Sequence, residues 1–184
     1  MDERMQKDDR RWTLRTRTAE AHRALDGLIG ELDSDASYRR YLVGMTAFRL
    51  AVEPSLAGAP LPATYRPPAI AADTLADLAD LALPVPPPVP FKSSLSFDDA
   101  LGVLYVLEGS VLGAQLLIKQ AATLGFDGNH GARHLARQTT SLEGWRSYLK
   151  LLDEAEPFDM DVCVAAAIDT FDAALDAFEA KTYA

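Results

Sequence analysis

A histidine on an apolar helical stripe and two glycines four apart inside an apolar run are the first features here that could do chemistry. His22 stands between Thr18 and Leu25, and Asp26 follows one helical turn later, where its carboxylate can reach the imidazole. A neutral imidazole can bind a metal through one nitrogen while the other donates to a carboxylate that fixes the tautomer. The same pair also suits a boundary histidine with an ordinary acidic neighbour. In the segment Glu108 to Gln115, Gly109 and Gly113 interrupt an otherwise strong helix, each costing roughly 1 kcal/mol relative to alanine. With Ala114 they make a small-residue face that admits either a flat object or a closely packed helix. A membrane-dimer reading of the glycine pair fails, because Glu108 and Gln115 flank it.

Arg146 and Lys150 lie one turn apart beside Leu142, Trp145 and Leu149. Two cations on one helix edge suit paired carboxylates of a ligand, or form a solvated flank. A ligand with an axial metal, a broad apolar plane and peripheral carboxylates would meet all three features at once. Haem has those parts.

These residues must be positioned by helices. The chain has 184 residues, a formal charge of -9 and 48% hydrophobic residues, enough for one globular domain with a core and too much for a disordered chain. The acidic balance argues against nucleic acid and anionic lipid as partners. Residues 1–23 depart from it, with seven basic side chains against five acidic ones. That basic first segment, Arg10 and Arg11 in particular, reads as a landing site for an acidic electron donor, or as a solvated helix face. The single cysteine, Cys163, allows no internal disulfide, and the polar start MDERMQKDDRR is no secretory signal. The composition therefore points to a cytoplasmic protein, with residues 1–9 flexible.

Val and Ile total only 13, which favours helices over strands. Apolar spacing predicts a first helix from Leu14 to Ile29, ended by Gly27 and Gly30, and a second from Ser34 or Ser37 to Val52. Ten of the eleven prolines fall between Pro54 and Pro90, so 54–70 and 84–95 read as connections around a short helix, Ala71–Leu83. Ser96 and Asp99 form a capping box that opens a helix running to Gly125. FDGNHGARH reads as a loop, with His130 and His134 on its surface. Helices over about Ser141–Glu154 and Asp159–Thr182 complete a single all-α domain, with Trp12 and Trp145 as packing residues.

The sequence resembles the haem oxygenase family, and within it the short bacterial members associated with bacteriophytochromes. The resemblance rests on LRTRTAEAHRALD (Leu14 to Asp26) and LGVLYVLEGSVLGAQLL (Leu101 to Leu117), with WRSYLK and the Phe171-containing last helix in the same order. It covers nearly the whole chain and is weakest over the proline-rich region. It implies a compact helical array with haem sandwiched between the first (proximal) helix and the glycine-containing (distal) helix. His22 would be the axial iron ligand and Asp26 its carboxylate partner. Gly109, Gly113 and Ala114 would lie over the opposite haem face, with Phe171 nearby, while Arg15, Arg146 and Lys150 would hold the propionates. Ser110 stands where better-known members carry an aspartate that organises water, and Ala114 replaces a common glycine.

The implied activity is oxidative cleavage of haem to biliverdin, carbon monoxide and ferrous iron. Haem b is then both substrate and cofactor, O2 is the oxidant, and electrons come from a ferredoxin or an NAD(P)H reductase. A bacteriophytochrome is the implied receiver of biliverdin. The principal alternative is a haem-binding sensor or carrier of the same fold that does not degrade haem. A thiaminase-like hydrolase would need Cys163 as nucleophile, and that residue sits in an apolar run with no activating neighbour in sequence.

Overall fold

The helical expectation holds throughout the computed structural model, which describes residues 3–140 and 142–180. Among the described residues the chain forms α1 (Glu3–Arg17), α2 (Ala19–Ile29), α3 (Asp35–Ala57), α4 (Ala71–Asp80), α5 (Phe97–Gly109), α6 (Val111–Thr123), α7 (Arg133–Thr139), α8 (Leu142–Glu154) and α9 (Met160–Glu179). No strand occurs among them, only isolated bridges from Asp127 to His130 and Gly131.

The predicted first helix is longer and is broken at Thr18. The Thr18 hydroxyl donates to the Leu14 carbonyl at 2.8 Å, while the backbone bonds Thr18 N–H to Leu14 O and His22 N–H to Thr18 O persist. Such back-bonding bends a helix without ending it, and it sets His22 in the first turn of α2. Gly30 closes α2 at φ 62°, a conformation open to glycine at little cost, and its N–H bonds the Asp26 carbonyl.

The second helix runs past the predicted end at Val52, through Pro54 to Ala57. Proline costs about 3 kcal/mol inside a helix. Here Val52, Ser55 and Leu56 are buried on either side of it, so tertiary packing overrides the local penalty. The short helix after it stops at Asp80, and α7 is an element the sequence reading assigned to a loop end. Ser141 and Thr182, the expected ends of two helices, lie outside the described residues.

α5 and α9 form the centre, packed closely on each other, with α3 and α2 also against α9. The approach depends on Gly102: a Cβ there would stand 2.1 Å from the Cys163 carbonyl oxygen, so glycine is required. Leu101, Leu104 and Leu107 of α5 and Val164 and Ala167 of α9 are all buried in the same core. The Ser96–Asp99 capping box forms with both reciprocal bonds. Phe97–Thr123 is long and apolar enough to cross a membrane, but half of it is buried inside the protein and the run breaks at Ser110. It is the core of the fold.

Candidate active site

The distal break is built by a hydroxyl in the same way as the proximal one. Ser110 donates to the Leu107 carbonyl at 2.7 Å, three residues back, and Gln138 of α7 donates to its Oγ at 3.0 Å. The serine proton is therefore committed to the backbone, leaving one hydroxyl lone pair open. α5 and α6 meet at this residue, with Gly109 immediately before it.

Beyond the break, two faces of the helix diverge. Val111, Ala114 and Ala121 are buried in the core. Gly109, Leu112, Gly113 and Leu116, spaced i, i+3, i+4, i+7, face outward, and Leu112 is 73% exposed. A Cβ on Gly113 would meet nothing within 4 Å. An apolar stripe at this spacing ordinarily turns to the core. Here it lies open, with two of its four positions lacking a side chain, which makes it a platform for a flat apolar ligand. Ala114, grouped with the glycines in the sequence reading, is 3% exposed, so its methyl packs inward and does not line the open face.

His22 is likewise open. Its side chain is 59% exposed, and Nδ1 lies 3.0 Å from Asp26 Oδ2. With Nδ1 engaged, Nε2 is the nitrogen available to an incoming group. Phe171 of α9, buried, meets the imidazole edge-on with ring centroids 5.7 Å apart, which limits the ring's swing. α9 supports both α2 and α5, and the Leu32 N–H after α2 donates to Gln120 Oε1 of α6 at 3.1 Å. The proximal and distal elements thus share one frame.

Trp145 of α8 ties the cationic edge to the distal break. Its ring would lie 3.7 Å from a Cβ on Gly109, and Arg11 stacks over it at 5.6 Å. Arg146 and Lys150 are exposed on the same helix, Lys150 4.0 Å from Glu154. Arg15 is exposed on α1, which packs on α8. Two sequence readings change. Trp12 is 63% exposed and so is not a core residue. Arg10, expected as a docking cation, donates to the Leu152 and Ala155 carbonyls at 2.7 and 3.0 Å and pairs with Glu156. It caps the end of α8, where orphan carbonyls favour a cation.

The sequence reading missed a buried polar layer behind the distal break. His134 is not a surface residue; it is fully buried, with Nδ1 2.7 Å from Asp77 Oδ2. Arg49, Glu108 and Gln138 are also buried. Their one sequence signal is charge or amide on otherwise apolar helix faces. Burial pulls His134 below its ordinary value of 6.5. Burial opposes ionisation of Asp77, yet hydrogen bonds from the His134 ring and the backbone of His134 and Arg133 hold it below its ordinary value. Both shifts act in the same direction. The unfolded chain takes up the histidine proton from about pH 6.5 downward and the aspartate proton below 3.8, while the folded chain resists both. Stability from urea midpoints is therefore expected to fall as pH drops below 6.5, by at most about 1.4 kcal/mol per pH unit for each group. His134→Gln should remove the onset near 6.5; an unchanged profile would refute the assignment. Burial also pushes the Cys163 thiol up to about 12, which leaves no thiolate for nucleophilic chemistry.

No family model matches the chain. It is 36% identical over 180 residues to heme oxygenase PigA of Pseudomonas aeruginosa, a match covering 91% of this chain and 89% of the relative. The chain belongs to the haem oxygenase family. Its fold also matches the crystal structures of the NO- and CO-bound heme oxygenase of Neisseria meningitidis, with a TM-score of 0.66 and 25% identity over 95% of this chain and 96% of that one. It is an all-α enzyme of the haem oxygenase type. The exposed histidine and the glycine platform fit haem: one offers a nitrogen to iron, the other a side-chain-free surface to the ring.

Proposed function

We propose that this haem oxygenase cleaves haem oxidatively to biliverdin, carbon monoxide and ferrous iron, using dioxygen and electrons from an external donor. The observation that carries this reading is the exposed His22 with Nδ1 held by Asp26, on the same frame as an open glycine stripe. His22 holds the iron through Nε2, Asp26 fixes the tautomer, and Phe171 keeps the ring from turning. Gly109 and Gly113 would receive the ring plane, while Arg15, Arg146 and Lys150, all exposed, would hold the propionates by charge-assisted hydrogen bonds. The α5–α6 backbone at Gly109 and Gly113, bare of side chains, would let the helix approach the bound ring closely and so limit which ring edge is open to attack. Ser110, with its proton on Leu107, accepts a hydrogen bond from water there and does not donate one.

The electron donor is a ferredoxin or an NAD(P)H reductase, docking on the cationic side formed by α1 and α8. With Arg10 engaged at the end of α8, Arg11 is the one of the two expected docking cations left for that contact. On this reading the protein works in the cytoplasm, where reductant is available, and a bacteriophytochrome is one receiver of the product.

Aerobic reduction of the haemin complex tests the reading. The Soret band should give way to the broad red absorbance of biliverdin, with carbon monoxide released in equal amount. A Soret band that persists under reductant and oxygen would refute cleavage and favour the non-degrading carrier.

A further inference from the structure

A buried side-chain amide with half of its hydrogen-bonding capacity unused stands directly behind the distal break. Gln138 is 6% exposed; its Nε2 donates to Ser110 Oγ at 3.0 Å, and its Oε1 has no partner. A buried orphan acceptor carries a desolvation penalty that a leucine of similar size would avoid. The group the amide reaches, the Ser110 hydroxyl, is what sets that penalty off.

The contact is fixed from both ends. Ser110 gives its proton to the Leu107 carbonyl at 2.7 Å, so only an N–H can face its oxygen, and this sets the orientation of the amide. Gln138 in turn rides on α7, seven residues long, whose N-cap Ala132 supplies no side-chain hydrogen bond. Asp77 of α4 takes that part. Its Oδ1 accepts from the Arg133 N–H and its Oδ2 from the His134 N–H, each at 3.0 Å, and Oδ2 lies 2.7 Å from His134 Nδ1. The Arg133 guanidinium ties the same end of α7 to Asp77 at 3.1 Å and to Asp80. His134 and Gln138 are one turn apart and both buried. A chain of bonded groups therefore runs from α4 through α7 to the α5–α6 junction.

That chain decides what Ser110 can do. A hydroxyl oxygen has two acceptor sites and one proton. With the proton on Leu107 and one site filled by Gln138, Ser110 is left as an acceptor with a single site of fixed direction. Gly109, exposed on the open stripe, immediately precedes it. A water bonded to Ser110 through one O–H keeps the other as a donor, and a donor beside the bound ring favours negative charge there. We propose that Gln138 is a positioning residue for the reaction: by filling one acceptor site of Ser110, it fixes the direction in which Ser110 holds water beside the haem. The role is exerted through Ser110, and it rests on the placement of haem against Gly109 and Gly113.

The readout is the alkaline transition of the ferric haemin complex, followed in its visible spectrum. It needs no turnover, so it stays readable even where the cleavage reading fails. Ser110→Ala should move the transition to higher pH by about 0.5–1 unit, the equivalent of one net hydrogen bond. Gln138→Met, of similar length and without the donor, should move it in the same sense. Gln138→Asn, too short to reach Ser110 but still an amide, should do likewise, and it carries the test where Gln138→Met does not fold. On the Ser110→Ala background either Gln138 substitution should add nothing, because the group it acts on is gone. An additive shift in the double variant would make Gln138 a structural residue only and overturn the proposal. A wild-type transition in the Gln138 variants, with Ser110→Ala shifted, would overturn it as well. A transition unmoved in all of them would remove the placement of haem against the stripe, and the proposal with it.

Discussion

His22→Ala should weaken haem binding about 100-fold or more and leave the folded protein as stable as before. The first half follows from the ligand's role: substitutions of mere second-sphere partners already cost 10–100-fold in metal affinity or activity, so the ligand itself must cost at least as much. The second half follows from exposure. The His22 and Asp26 side chains are 59% and 67% exposed and, apart from the edge-on contact of the imidazole with Phe171, meet only each other, so the chain loses about 1 kcal/mol or less without them. Haemin titration, followed by the shift of the Soret band, separates binding from folding, which circular dichroism reports. Added imidazole should restore the native-like spectrum by occupying the gap. Asp26→Asn should fall between wild type and His22→Ala, binding haem with a loss of about tenfold, because an amide still contacts Nδ1 without the charge that fixes the tautomer. An unaltered Soret band in His22→Ala would remove this residue as the iron ligand, whichever way Asp26→Asn behaves.

How much of this was legible in the residues differs between the two halves of the site. His22 and Asp26 could be paired from spacing, because one helical turn brings them together and no other element is needed. Gly109 and Gly113 could be singled out because glycine in a good helix carries a penalty that something must offset. What could not be read was direction. The i, i+3, i+4, i+7 stripe Gly109–Leu112–Gly113–Leu116 has the pattern of a core face, yet it is open, and the opposite face with Ala114 is the one that packs. Local spacing cannot choose between two faces that are both apolar. Arg10 shows a similar limit: charge in sequence suggested docking, while the helix-end carbonyls it caps lie more than 140 positions away. The buried layer of Arg49, Asp77, Glu108 and His134 depends on contacts among α3, α4, α5 and α7, and no local pattern announces those. Pro54 misled in the opposite sense, since its local penalty is real but smaller than the burial on both sides of it.

The open stripe leads to the second large effect. Gly113→Leu should make the protein more stable and nearly inactive. Gly113 is not among the glycines with positive φ, and a Cβ there would meet nothing within 4 Å, so a larger residue fits the folded chain without strain. Gly113 is the third residue of α6, where replacing glycine contributes at most the roughly 0.5–1 kcal/mol of a helix interior, which in a chain of this size raises the thermal midpoint by up to about 1–4 °C. The same side chain would project from the face that carries the haem ring. Displacing the ring by even about 1 Å relative to the groups that hold it costs on the order of 100-fold in rate. Gly113→Ala should fall between, with most of the stability gain and a smaller loss of turnover, because one methyl intrudes less than an isobutyl group. The opposed signs are what make the experiment decisive. A variant that merely damaged the fold would lose stability and turnover together, and a glycine kept for close helix packing would behave that way. Gain of stability with loss of biliverdin formation can arise only if the space beside Gly113 is reserved for something that is absent from the free protein. Turnover at the wild-type rate in Gly113→Leu would show that the ring lies elsewhere, and with it the proposed placement of haem against this stripe would fall.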